Sequence, residues 1–158
     1  MQTEGLVVGR HDTRVISVVG LCHFFSHFYQ FVLPPLSILI YQSEGYSLES
    51  LALLVSVFYA ASFCLQLPVG LAVDRFGARI ILMTGVVVLA ACTLLYGIFT
   101  SYPSLVILTV IAGAANSVFH PADYSILNAS VKQERLGRAF SIHNFAGFAG
   151  YAVAPVLV

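Results

Sequence analysis

The chain has 158 residues, of which 59% are apolar and only 9% charged, with a mean hydropathy of +0.92. A soluble domain covers its surface with about 25% charged residues, and seven cations, seven anions and five histidines cannot coat a 17.0 kDa globule. A formal net charge of zero without a basic stripe excludes a nucleic-acid partner, which leaves an all-α membrane protein in contact with a lipid bilayer.

Charges divide the chain into long uncharged stretches, 15–43, 50–73, 80–122 and 139–158. A spanning helix needs about 20 apolar residues. The stretch 80–122 is therefore expected to turn once, at Thr100-Ser101-Tyr102-Pro103-Ser104, where Pro103 suits the first turn of a new helix. The expected organisation is a cytoplasmic N-terminal tail over 1–14, then five spans over about 15–41, 49–71, 80–99, 104–127 and 139–158. The first apolar run is far longer than a signal-peptide core and no small-residue cleavage site follows it, so it is expected to stay as a span.

Arg10 and Arg14 precede the first span, Arg75 and Arg79 separate the second and third, and Lys132, Arg135 and Arg138 separate the fourth and fifth. The opposite loops, 42–48 and 100–103, hold no Lys or Arg. All cations thus fall on one side, which the positive-inside rule assigns to the cytoplasm. The last residues, Tyr151 to Val158, run on as apolar sequence, and the chain reads as an incomplete N-terminal half of a longer protein. Cys22, Cys64 and Cys92 lie inside apolar stretches without a CxxC pair and are expected to act as packing residues.

The loop after the second span reads Gly70-Leu-Ala-Val-Asp74-Arg75-Phe-Gly77-Ala78-Arg79. As chemistry this is a helix end, a tight turn and a helix start: Gly77 supplies the positive φ that a short turn needs, and Asp74 is placed to cap or to sit against a helix N-terminus. The pattern resembles the signature loop of the major facilitator superfamily, matching at Gly70, Asp74, Arg75, Gly77 and Arg79 and departing at Ala72 and Ala78. The resemblance implies the N-terminal five helices of a facilitator-type bundle, and a cytoplasmic gate in which Asp74 is partnered by Arg75 and Arg79.

Glu134-Arg135-Leu-Gly137-Arg138-Ala139 is similar to the family's entry to the fifth span. Gly147, Gly150 and Pro155 within that span resemble an antiporter motif, with Ala154 standing at its second glycine. Physically these residues mean close helix packing and a bend. Cys22-His23-Phe-Phe-Ser-His27-Phe-Tyr29 and Phe119-His120-Pro121 resemble the fosmidomycin-resistance type of drug exporters. His27 stands where that subgroup often shows Asp, and Thr109 stands where proton-coupled facilitators commonly carry Arg.

His23 and His27 are four apart and share a helix face; His120 and Asp123 are three apart and share another. At 1.5 Å per residue, His23 and His120 lie roughly 12 Å and 10 Å above the cytoplasmic end and are expected to meet, with Asp123 roughly 6 Å above it, near the interface. In this fold, the resemblance implies, the first and fourth spans line the central cavity. Three readings of the cluster stay open: proton handling or substrate hydrogen bonding, structural pairing, and a transition-metal site. Asn116, Asn128, Asn144 and His143 are read as interhelical glue.

The function implied by the resemblance is secondary transport of a small solute by alternating access, as proton-coupled drug efflux from a bacterial inner membrane. Its partners are a small-molecule substrate, protons and the missing C-terminal half. Two alternatives stand beside it: uptake of a metabolite or metal ion, and a non-transporting membrane or assembly protein or truncated gene product. No enzyme motif (Walker loop, GxSxG or HExxH) is present and no cofactor is expected.

Overall fold

A computed structural model describes residues 2–157, with side chains from Gly9 onward except at 33, 34 and 37. It consists of six helices: α1 (Gln2–Glu44), α2 (Leu48–Phe76), α3 (Ala78–Tyr96), α4 (Tyr102–Asn116), α5 (Phe119–Ser130) and α6 (Gln133–Leu157), with no strand among the described residues. Four segments are long and apolar enough to cross a membrane: Gly9–Val32, Leu48–Phe76, Ala78–Tyr96 and Tyr102–Ser130.

Local sequence sets the ends. α1 runs unbroken through residues 2–14, so this stretch continues the helix instead of trailing from it. Gly45 turns at φ 72°, and Ser47 caps α2 by accepting a hydrogen bond from the Ser50 amide at 3.2 Å. α2 continues through Asp74 and Arg75, leaving Gly77 (φ 88°) as a one-residue turn into α3. The helix expected over 104–127 is interrupted at Ser117 and Val118, separating α4 from α5. Pro121 is the physical cause, because it has no N–H to offer the Ser117 carbonyl four residues earlier.

α6 is the least apolar of the long helices. Glu134, Arg135 and Arg138 occupy its first turns, and its buried stripe (Leu136, Ala139, His143, Gly147, Gly150, Ala154) follows helical spacing and packs chiefly on α1. One apolar core joins α2, α3 and α4 around Leu54, Phe58, Leu89 and Leu105; a second joins α1, α5 and α6 around Val19, Leu127 and Ala139. The opposite faces present Phe63, Leu94 and Phe145, each more than 70% exposed, as befits helices solvated by lipid.

The two ends of the bundle differ in chemistry. At one end Arg10, Arg14, Arg135 and Arg138 surround a shared cavity, and Arg14 and Arg79 line a second. Buried Asp12 meets Nη1 of Arg135 at 3.4 Å, pinning α1 to the start of α6. At the other end Tyr46 donates its hydroxyl to the Thr100 carbonyl at 3.1 Å and accepts from the Tyr102 amide at 2.9 Å.

Candidate functional site

Where α1, α5 and α6 meet, four histidines surround one carboxylate. α1 supplies His23 and His27, one turn apart; α5 supplies His120 and Asp123; α6 supplies His143. The approach is so close because α6 carries glycine at the contact. A Cβ on Gly147 would lie 2.8 Å from the His23 ring and 3.0 Å from the His27 ring, and one on Gly150 would strike the Phe24 carbonyl.

The rings of His23 and His143 stack with centroids 3.7 Å apart, and His27 and His120 flank His23 at 4.3 Å and 5.1 Å. Nε2 of His143 lies 3.0 Å from Oδ2 of Asp123, and Nδ1 of His23 lies 3.4 Å from the same oxygen. His23, Asp123 and His143 are 1% exposed or less, while His27 and His120 are half-buried. Asp123 therefore does not sit at an interface where its charge is cheap. It is enclosed by three helices, because α5 turns this residue toward α6, and height along a helix does not report which side a residue faces.

The cluster is under-satisfied. Oδ1 of Asp123 and Nδ1 of His23, His27 and His120 are buried without a hydrogen-bond partner. Such a group typically costs about 1–3 kcal/mol. By sequence His143 reads only as interhelical glue, yet it makes the shortest contact to Asp123. Its place in the Ala139, His143, Gly147, Gly150, Ala154 stripe is the signal that marks it as facing α1.

Toward the other end a second polar layer is fully paired. Asn116 Oδ1 accepts from Ser26 Oγ and Gln30 Nε2, both at 3.0 Å, and its Nδ2 donates to Ser62 Oγ at 2.9 Å. Tyr151 donates to Gln30 Oε1 at 2.6 Å. Thr109 is buried and accepts from the Tyr96 hydroxyl at 3.2 Å, so its position joins α4 to α3. Asn128 is not interhelical; it is exposed and donates to the Tyr124 carbonyl of its own helix at 2.8 Å.

The loop residues lie apart from both layers. Asp74, Arg75, Gly77 and Arg79 are exposed and Gly70 is half-buried. Among the described residues Asp74 forms no ion pair with Arg75 or Arg79. Neighbours i and i+1 diverge around a helix, and Arg79 belongs to α3; the Arg75 guanidinium instead lies 5.3 Å from the Phe76 ring centre. Gly70 and Asp74 face Pro121 and Ser125 of α5 across a cavity of about 260 Å³. Pro155 lies within the last turn of α6 and is exposed.

This helical bundle with a Gly77 turn at its signature loop matches the profile of the Major Facilitator Superfamily over residues 19–158. The chain belongs to that superfamily. As a facilitator it is a multi-pass membrane protein and not an enzyme. It is similar to a probable L-galactonate transporter of Escherichia coli strain K12, at 26% identity over 75% of this chain and 26% of the relative. An uncharacterised MFS-type transporter of Methanocaldococcus jannaschii is 24% identical over 78% of this chain and 32% of its own length. One from Mycobacterium tuberculosis is 30% identical over 79% and 33%. The chain thus spans about a third or less of these facilitators.

Proposed function

We propose that this chain forms the first part of a secondary transporter that moves a small solute by alternating access, with export of a drug-like molecule against inward proton flow as its form. The observation that carries the reading is the glycine-mediated seal between α1 and α6. Gly147, Gly150 and Pro155 resemble the antiporter-type pattern, with Ala154 at its second glycine, and α6 touches the His23 and His27 rings at Gly147 and the α1 backbone at Gly150. In this reading α6 is the fifth span, the N-terminus is cytoplasmic in a bacterial inner membrane, and the rest of the bundle comes from the protein's remaining sequence. Asp74, Arg75 and Arg79 form the cytoplasmic gate with that remaining half, which suits their exposure on this one.

Metabolite uptake is the second reading. Arg10, Arg14, Arg135 and Arg138 line a cavity of about 730 Å³ at the charged end, a setting suited to an organic anion, and one relative is named as a probable L-galactonate transporter.

Proteoliposomes of the full-length parent distinguish the two readings. Export predicts loss of a fluorescent drug probe from the vesicle side equivalent to the cytoplasm, driven by an imposed proton gradient and abolished by a protonophore. Asp74→Asn should lower that rate at least roughly 10-fold with insertion unchanged, since the charge and not the volume is removed. Gradient-independent flux, or accumulation of a sugar acid instead, overturns the export reading.

A further inference from the structure

His143 stands between two oxygens: its Nδ1 lies 3.3 Å from Oδ1 of Asn144 and its Nε2 lies 3.0 Å from Oδ2 of Asp123. In the tautomer with the ring N–H on Nδ1, Nε2 presents a lone pair toward Asp123. Nδ1 of His23 approaches the same carboxylate oxygen at 3.4 Å without hydrogen-bond geometry. Two imidazoles and one carboxylate thus converge on a point that is closed to solvent.

A single proton answers only the His143–Asp123 contact and leaves Oδ1 of Asp123 and Nδ1 of His23 bare. A divalent cation held by both carboxylate oxygens and the two ring nitrogens would answer all of them together. Two imidazoles and one carboxylate form a ligand set suited to a transition metal, and an orienting partner on the far nitrogen of a ligating histidine is a recurrent feature of such centres. The dimensions agree. Ligand atoms 2.0–2.1 Å from a tetrahedral zinc lie roughly 3.3 Å from one another. One ligand atom from each of His23, Asp123 and His143 already falls within 4.8 Å of the others, with Asp123 Oδ2 at 3.4 Å from Nδ1 of His23 and 3.0 Å from Nε2 of His143.

We propose that His23, Asp123 and His143 form a binding site for one divalent transition-metal ion, with zinc the best-suited, that ties α1, α5 and α6 together inside the bundle. Three protein ligands leave a fourth position for water or for His120, whose buried Nδ1 is without a partner. All three ligands are enclosed by the described helices, so the ion is held within this part of the protein and not on an open surface.

Binding is read in detergent without a gradient, so it stands or falls independently of transport. The protein, purified without a histidine tag and stripped by a chelator, is titrated with Zn²⁺ against a chromophoric competitor, and with Co²⁺ by visible absorption. One ion per chain is expected, with a Co²⁺ spectrum of mixed nitrogen and oxygen ligation and a Zn²⁺-dependent rise in melting temperature. Asp123→Asn should weaken Zn²⁺ binding more than roughly 100-fold, and Asn144→Ala, which removes the neighbour of the far ring nitrogen of His143, roughly 10-fold. Absence of stoichiometric Zn²⁺ on the unmodified protein overturns the proposal whatever the variants do. So does Asp123→Asn binding Zn²⁺ as the parent does, or lowering the melting temperature of a protein that never bound metal, which is the outcome for a purely hydrogen-bonded or proton-carrying cluster.

Discussion

Asn116 shows what a single polar side chain can do in a bundle this apolar. It sits on α4, accepts from two residues of α1 and donates to one of α2, while Gln30 passes the connection on to Tyr151 of α6. Interhelical hydrogen bonds within membranes average about 0.6 kcal/mol each, so Asn116→Ala should cost roughly 2 kcal/mol. Thermal unfolding in detergent should show a melting temperature several degrees lower, and an unchanged one would mean that the network contributes nothing net. That Asn116 lies between helices is legible in its sequence, a lone amide in an apolar run. The partners are not, because Ser26, Gln30 and Ser62 lie 54 to 90 positions away and look like ordinary helix serines and glutamine. The histidine cluster divides in the same way. His23, His27, His120 and Asp123 can be grouped by spacing, whereas His143 and the buried Asp12 join their sites only through the packing of α6 on α1.

Helix pairs in the bundle approach one another where glycine allows it. Gly113 of α4 lies against the backbone of α2: a Cβ there would meet the Phe58 carbonyl oxygen at 2.5 Å and the Ala61 methyl at 2.9 Å. Neither is the loose end of a flexible side chain, so Gly113→Ala must push α4 from α2, at about 1–3 kcal/mol. Gly70→Ala makes the matched control, since a Cβ at Gly70 meets nothing within 4 Å and alanine favours a helix interior by about 0.5–1 kcal/mol. Circular dichroism melts should show Gly113→Ala lowered and Gly70→Ala equal to the parent or slightly above it; equal melts for both would remove close α2–α4 contact as a source of stability. Turn residues mark the joints at 45–47, 77 and 97–101, whereas charge-free length misplaces the ends: the second span is expected to stop at 71 and the third at 99, and the helices stop at Phe76 and Tyr96. The break between α4 and α5 is less legible, because Pro121 is read as part of a motif when its local effect is to deprive Ser117 of a backbone partner. The lower apolarity of α6 has a similar origin, since its inward stripe spends positions on small and polar residues that fit α1.

The fold gathers arginines at one end of the molecule. Arg10 and Arg14 of α1 stand beside Arg135 and Arg138 of α6, and Arg14 shares a cavity with Arg79 of α3, so segments distant in sequence place their cations together. The opposite end is closed by Tyr46, Thr100 and Tyr102, with Glu44 and Glu49 as its charged residues. We propose that the bundle inserts with its arginine-rich end in the cytoplasm, because short loops bearing Lys and Arg are retained there. Labelling checks the consequence. After replacement of Cys22, Cys64 and Cys92, single cysteines are placed at Gly45, Ser101, Ala78 and Lys132, and intact cells are treated with a membrane-impermeant maleimide. Cysteines at 45 and 101 should label from outside, and those at 78 and 132 only after the membrane is opened. The four positions form two pairs, each held at one end of the bundle, so the pairs must exchange together if orientation is reversed. Labelling of 78 and 132 from outside would invert the orientation and place the Asp74 loop on the external face. Labelling of one member of a pair without the other would contradict the packing that unites Arg14 with Arg79 and Tyr46 with Thr100.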